Sequence, residues 1–193
     1  MNLAATLTLY AYGTSEGVTK SWDTRGRGRK QDFKKWFGKS KVVDKQGKPL
    51  IVYHGSAPEG NEAALAKALG VKYEGRGGFL SPIKNDKYTV GRFFSSNSDV
   101  AKAYGPEVHE AYLKMEKPFV VDAKGEYYND IPVPKEMRSW MVGDKAETDN
   151  IAEWAYKHGY DGVIVKNVLE PKKPIDNTHD YIVFNAKQIW EHK

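Results

Sequence analysis

Hydrophobic and polar positions along this chain switch between two periods, and each period places an element. Near the start, Leu7, Leu9 and Ala11 alternate with Thr6, Thr8 and Tyr10, the two-residue repeat of an edge strand. Phe33, Trp36 and Phe37 fall at i, i+3 and i+4 and predict a helix with one aromatic face, capped by Asp32 and ended by Gly38. That spacing is the mark of core packing, and Trp36, Trp140, Trp154 and Trp190 are all read that way. Lys45 to Pro49 reads as a turn, and Leu50 to Tyr53 as a buried strand that delivers His54-Gly55-Ser56 to its end. Asn61 to Leu69 has a helical pattern, and 71–90 is a Gly-rich loop region. A second strand covers Arg92 to Ser95, after which Asn97-Ser98-Asp99 opens a helix through Tyr104 that Gly105-Pro106 stops. Val108 to Met115 and Phe119 to Asp122 read as strands separated by Pro118, and Glu147 to His158 as a helix ended by Gly159. Val163 to Lys166 and Tyr181 to Phe184 complete the strands. With no regular alternation of strand and helix and no internal repeat, the pattern predicts an α+β domain around a mainly antiparallel sheet.

Composition narrows the chemistry. At 193 residues, 40% of them hydrophobic and 28% charged, the chain has the length and make-up of one globular domain. It contains no cysteine, which excludes disulfides, thiolate nucleophiles and cysteine-based zinc sites. Leu3 to Tyr12 is too short and too poorly flanked to read as a signal peptide or membrane span, so a cytoplasmic protein is expected, by itself or after delivery into a host or target cell. Charge is uneven: residues 20–48 hold eleven Lys or Arg against three Asp, a local charge of +8 where the whole chain carries +5. Residues 1–30 are expected to form a basic, flexible tail ahead of a folded domain over 31–193. The run Arg25 to Lys30 could meet phosphates through charge alone or serve as a solvated linker.

Three places join a strand end to polar or aromatic groups: Tyr53-His54-Gly55-Ser56, Gly91-Arg92-Phe93-Phe94-Ser95 with Tyr104 downstream, and His179-Asp180-Tyr181-Ile182-Val183-Phe184. Singly, each has an ordinary reading as packing, turn or cap. The five histidines include no His-x-x-x-His pair, and Asp130 and Asp161 have no evident partners, so no metal is expected. Gly75-Arg76-Gly77-Gly78 could line a diphosphate or be a plain loop.

Taken together and in order, the three motifs resemble the His-Tyr-Glu branch of the ADP-ribosyltransferase superfamily, shared by diphtheria toxin and the poly(ADP-ribose) polymerases. The first motif of that branch, a strand ending in His-Gly-Ser or His-Gly-Thr, matches His54-Gly55-Ser56. The second, Gly-x-Tyr-Phe with a Tyr ten residues beyond the Phe, matches Gly91 to Phe94 with Tyr104. The third, Glu-Tyr-Ile-Val-aromatic followed by Gln and an aliphatic, matches Asp180 to Phe184 with Gln188-Ile189. Phe93 stands where the branch has Tyr, and Asp180 where it has Glu. Over residues 31–190 the wording is most similar to small transferase domains of phages and of polymorphic or polyvalent toxin proteins.

The resemblance implies a split antiparallel sheet core flanked by helices, and a catalytic domain that binds NAD as co-substrate. Cleaving the nicotinamide–ribose bond develops positive charge at the sugar while the leaving group departs neutral, so the site needs a grip on the base and a nearby negative charge. On this reading Tyr104 and Phe93 sandwich the pyridinium, at roughly 0.5–2 kcal/mol per face. The Gly55 backbone meets the carboxamide, and His54 meets a ribose hydroxyl with Ser56 or Ser95 beside it. Asp180, the catalytic carboxylate with His54, holds the ribose 2′-hydroxyl and stabilises the cation. His54, Phe93, Tyr104 and Asp180 should then surround one cleft. The expected activity is mono-ADP-ribosyl transfer to a protein or nucleic acid, in a phage or toxin effector. Its expected partners are NAD, that unidentified acceptor and an antitoxin or immunity protein, with no membrane. NAD glycohydrolysis and nucleic-acid binding on an inactive transferase scaffold are the alternatives.

Overall fold

A computed structural model describes residues 30–56, 90–170, 175 and 177–192, and seven of the strands in them form one sheet. The expected edge strand of Leu3 to Tyr12, the basic tail up to residue 29, the helix of Asn61 to Leu69 and the glycines from Gly75 to Gly78 lie outside the described residues.

In chain order the elements are α1 (Lys30–Phe37), β1 (Val52–Ser56), β2 (Arg92–Ser95), α2 (Ser98–Tyr104), β3 (Glu107–Leu113) and β4 (Pro118–Asp122). They continue with β5 (Ile131–Pro132), β6 (Lys145–Ala146), α3 (Thr148–Lys157), β7 (Gly162–Lys166), β8 (Asp180–Val183) and β9 (Ile189–Glu191). The large sheet runs β4-β7-β8-β2-β1-β3-β9, with β4 and β7 parallel and every other neighbouring pair antiparallel. Three helices and this mixed sheet make the α+β architecture that the pattern predicts. The parallel pair is a departure: β4, α3 and β7 form one crossover unit, hidden in the sequence because residues 123–147 and the small β5–β6 ladder intervene. A parallel pair needs such a connection, since a tight turn cannot bring two strands side by side in the same direction.

Several boundaries move for local reasons. α1 starts at Lys30, so Asp32 sits inside its first turn instead of capping it, where a carboxylate still complements the helix dipole. The first sheet strand begins at Val52, not Leu50, and takes in His54-Gly55-Ser56, because β3 pairs with it along its whole length from Val52↔Ala111 to Ser56↔Glu107. Pro118 opens β4 instead of separating strands, a position open to it because β4 is an edge strand. The aromatic stripe of α1 packs as expected: Phe33 lies 4.8 Å from Tyr112 and 5.6 Å from Trp190, ring centre to ring centre. Trp154 is buried, whereas Trp140 keeps 37% of its surface exposed.

Side-chain alternation divides the core between the sheet's two faces. Val163, Val165 and Ile182 belong to the cluster that α3 covers with Ile151, Ala152, Trp154 and Ala155. Val52, Phe94, Ala111, Ile164, Tyr181 and Val183 belong to the other. Gln188 ties three strand ends together: its side-chain N–H groups donate to the carbonyls of Lys114 (2.9 Å) and Asp161 (2.6 Å), and its oxygen accepts from the amides of Phe184 (3.1 Å) and Asn185 (2.9 Å). Among the described residues no helix is long and apolar enough to cross a membrane.

Candidate active site

The three motifs lie on adjacent strands, β1, β2 and β8, and the site forms where the first two part. β1 and β2 share the register pair Tyr53↔Ser95, and past it, among the described residues, β1 pairs with β3 toward Ser56. β2 meanwhile keeps its register with β8 from Arg92↔Val183 to Ser95↔Asp180. The sheet therefore opens between His54–Ser56 on one side and Arg92–Phe94 on the other.

At this opening the His54 imidazole bonds to β2's main chain, its Nδ1 lying 2.7 Å from the Phe93 carbonyl oxygen. A carbonyl can only accept, so Nδ1 carries the proton. Burial pushes the imidazole pKa down to about 4, against the opposing pull of that hydrogen bond, and Arg92 and His109 add to the lowering. His54 is thus neutral at pH 7, with Nε2 as an acceptor. Ser56 Oγ pairs with His109 Nε2 at 2.9 Å across β1 and β3.

Gly55 has a role beyond a backbone approach to ligand. A Cβ there would stand 1.8 Å from the Ala101 carbonyl oxygen and 3.0 Å from the Gly105 nitrogen, and a Cβ on Gly105 would stand 2.3 Å from the Ser56 carbonyl. The two missing side chains let α2 dock backbone to backbone on β1, which sets Tyr104 at the rim. Asn97 fixes the other end of α2 by accepting from the amides of Asp99 (2.8 Å) and Val100 (3.4 Å). Gly91 is required for a different reason: its φ of +86° favours glycine, and a Cβ would meet Ile182 Cγ2 at 2.5 Å.

Tyr104 leaves 47% of its surface exposed while its hydroxyl donates to Glu170 Oε2. Burial of the hydroxyl, that bond and the nearby Glu170 and Asp180 charges raise the phenol's pKa, so it stays protonated. Glu170 and Asp180 are both buried. Asp180 holds its proton well above the usual carboxylate range, through burial first and then the charge of neighbouring Glu170. Ser95, opposite Asp180 on β2, is buried and accepts from the Asn97 amide at 3.2 Å. Among the described residues no three His, Asp or Glu side chains gather as a metal ion would require.

The expected residues do not all converge from one direction. Tyr53, Ser95 and Asp180 form a row across β1, β2 and β8, and alternation sends their side chains to the face that carries α2 and Tyr104. His54 falls in the other set, toward Phe94, whose ring lies 5.4 Å away. Phe93 keeps the face of Asp180 and packs against the cluster containing Ile182. His54 and Asp180 therefore approach the opening from opposite faces, joined through the main chain of β2. Glu170 carried no motif; its one sequence signal is a lone acid at the end of the apolar stretch Val168-Leu169.

The family model for ADP-ribosyltransferases in polyvalent proteins matches residues 44–191, which include all three motifs. The chain belongs to this family. No curated protein matches it. Its seven-stranded mixed sheet and three described helices are consistent with the α+β fold of an ADP-ribosyltransferase domain.

Proposed function

We propose that the protein cleaves the nicotinamide–ribose bond of NAD and transfers a single ADP-ribosyl unit to a protein or nucleic acid, as an effector of phage or toxin origin. The observation that carries this reading is the buried Asp180–Glu170 pair under the half-exposed ring of Tyr104, at the mouth of the opening between β1 and β2. Buried carboxylates close to one another disfavour each other's ionisation and favour a proton or a cation beside them. The pyridinium of NAD and the sugar cation that forms on its departure are such charges, and an aromatic face is a fitting seat for the former.

A dinucleotide lying through the opening meets His54 from one face and Asp180 from the other, which turns the opposed placement of the two side chains into a use. Neutral His54, donating to Phe93 through Nδ1, offers Nε2 to a ribose hydroxyl. Tyr104, with Phe93 from β2, supplies the stacking surface, and the Gly55 main chain with Ser56 and Ser95 supplies polar contacts along the opening. Asp180 accepts from the 2′-hydroxyl and faces the developing charge. The lysines of the exposed outer turn of α1 and the basic segment before it support an acidic acceptor or one bound to nucleic acid.

Incubation of the purified protein with NAD, alone and with pools of protein, DNA and RNA, tests this. Transfer predicts nicotinamide release that depends on one pool, together with addition of one ADP-ribosyl unit to it. Rapid release without any pool would instead identify a glycohydrolase. Asp180→Ala is expected to lower turnover about 100-fold or more, the usual scale for loss of a charge-stabilising group. An undiminished rate in that variant would remove Asp180 from the mechanism.

A further inference from the structure

We propose that His109 is the positioning residue for the Ser56 hydroxyl: it holds that hydroxyl in one rotamer, with an oxygen lone pair presented to NAD alongside His54. The inference rests on the reading of the site as one that binds and cleaves NAD.

Strand pairing brings the three side chains together. In the antiparallel pair of β1 and β3, His54 lies opposite His109 and Ser56 opposite Glu107, so His54, Ser56 and His109 project from the same face. Along that face the residues run from apolar to polar. Val52 and Ala111 are buried in the core, His54 and His109 follow with ring centres 6.5 Å apart, and Ser56 ends the strand. His109 reaches diagonally across to Ser56, its Nε2 lying 2.9 Å from Oγ. The main chain of Ser56 is held by its pairing with β3 and by the end of α2, where a Cβ on Gly105 would stand 2.3 Å from the Ser56 carbonyl. Its χ1 torsion still has three staggered wells, and the bond to His109 selects among them. β3 is a firm base for that bond, since β9 pairs with it from Ala111 to Leu113 and the His192 amide donates to the Glu110 carbonyl at 2.8 Å.

The direction of the bond follows the tautomer of His109, but what Ser56 presents to a ligand does not. If Nε2 accepts, the hydroxyl oxygen keeps both lone pairs, and if Nε2 donates, it keeps one. Ser56 is an acceptor in either case, as His54 is through Nε2. Two acceptors on one face of β1 suit a ribose, whose hydroxyls on adjacent carbons can both donate. Asp180 meets the reacting sugar from the opposite face, so the Ser56 contact falls away from the breaking bond. Such a contact strengthens binding of substrate and transition state alike, and its loss belongs in KM.

The test compares nicotinamide release by the full chain as wild type, His109→Ala, His109→Gln, Ser56→Ala and the double variant of His109→Ala with Ser56→Ala. His109→Ala should raise KM for NAD about three- to tenfold, the scale of one net hydrogen bond, with little change in kcat. Ser56→Ala should do the same, and the double variant should be no worse than either single change, because the two act through one bond. His109→Gln, whose terminal amide can pair with a hydroxyl through either end, should bring KM most of the way back. A purely structural histidine would instead lower Tm and add its effect in full to that of Ser56→Ala. Nitrogen-15 spectra of the imidazoles read the pair without turnover: Ser56→Ala should shift the Nε2 signal of His109. An unshifted signal, an unchanged KM in His109→Ala or additive effects in the double variant would overturn the proposal and leave the enzymatic reading in place. A wild-type protein whose His109 signal does respond to Ser56→Ala, yet which neither binds NAD nor releases nicotinamide, would overturn the enzymatic reading and with it the role given to His109.

Discussion

His54 illustrates how a single side chain can be placed by physics that its motif does not state. It is held neutral because its ring is buried, and its tautomer is set because Nδ1 lies against the Phe93 carbonyl, which can only accept. That has a consequence for stability. The folded protein protonates this ring near pH 4, while an unfolded chain does so near 6.5, so between those values the unfolded state binds the extra proton. Stability from this group is therefore fully present above pH 6.5 and is lost as pH falls through 4, by on the order of 3 kcal/mol in all. His54→Asn, whose amide nitrogen can still donate to Phe93, should flatten the fall in Tm between pH 6.5 and 4. A variant that loses Tm as steeply as the wild type would mean that His54 is solvated and titrates normally. The residue scale also explains why Glu170 stays hidden in the sequence. An acid beside Leu169 and Pro171 looks like any surface turn, and only its burial and the bond it accepts from the Tyr104 hydroxyl mark it out.

At the scale of elements, α2 shows which features of a motif are legible and which are not. Asn97, the short apolar face of Val100 and Ala101 and the stop at Gly105 announce the helix, and it forms over Ser98–Tyr104 as those signals require. Why Gly55 must precede it could not be read, because the atom excluding a side chain there is the Ala101 carbonyl, far along the chain. β5, β6 and β9 escape for another reason: strands of two or three residues carry too few positions to display an alternation. Gly55→Ala separates the two roles open to this glycine. A Cβ forced against backbone should push α2 off β1 at a cost of about 1–3 kcal/mol, the range for overpacking, and displace Tyr104 with it. Calorimetry should show a lower Tm, and NAD should bind several-fold more weakly. A variant of unchanged Tm that still fails to bind NAD would assign Gly55 to ligand contact alone.

For the whole molecule, the order of the motifs along the chain predicted that they meet, and β1, β2 and β8 are indeed neighbours in one sheet. The side on which each residue faces was not legible, since it depends on the register Tyr53↔Ser95↔Asp180, fixed by pairing between segments more than 80 residues apart at the extremes. A single-residue slip would have put His54 and Asp180 on the same face. The same register creates a mechanical asymmetry. β8 is buried at every position and flanked on both sides along its length, whereas β1 and β2 meet at Tyr53↔Ser95 and then diverge. Local opening follows such differences in burial and pairing, so amide hydrogens should exchange earlier in Val52–Ser56 and Arg92–Ser95 than in Asp180–Val183. A ligand lying through the split substitutes its own contacts for the missing ladder and adds binding free energy only to the folded form. NAD should therefore slow exchange in the β1 and β2 peptides first, with little change in β4 and β7, a pattern that mass spectrometry of deuterated peptides resolves. Uniform slowing across the sheet would point to binding elsewhere, because a ligand seated between β1 and β2 acts first on the strands that part there.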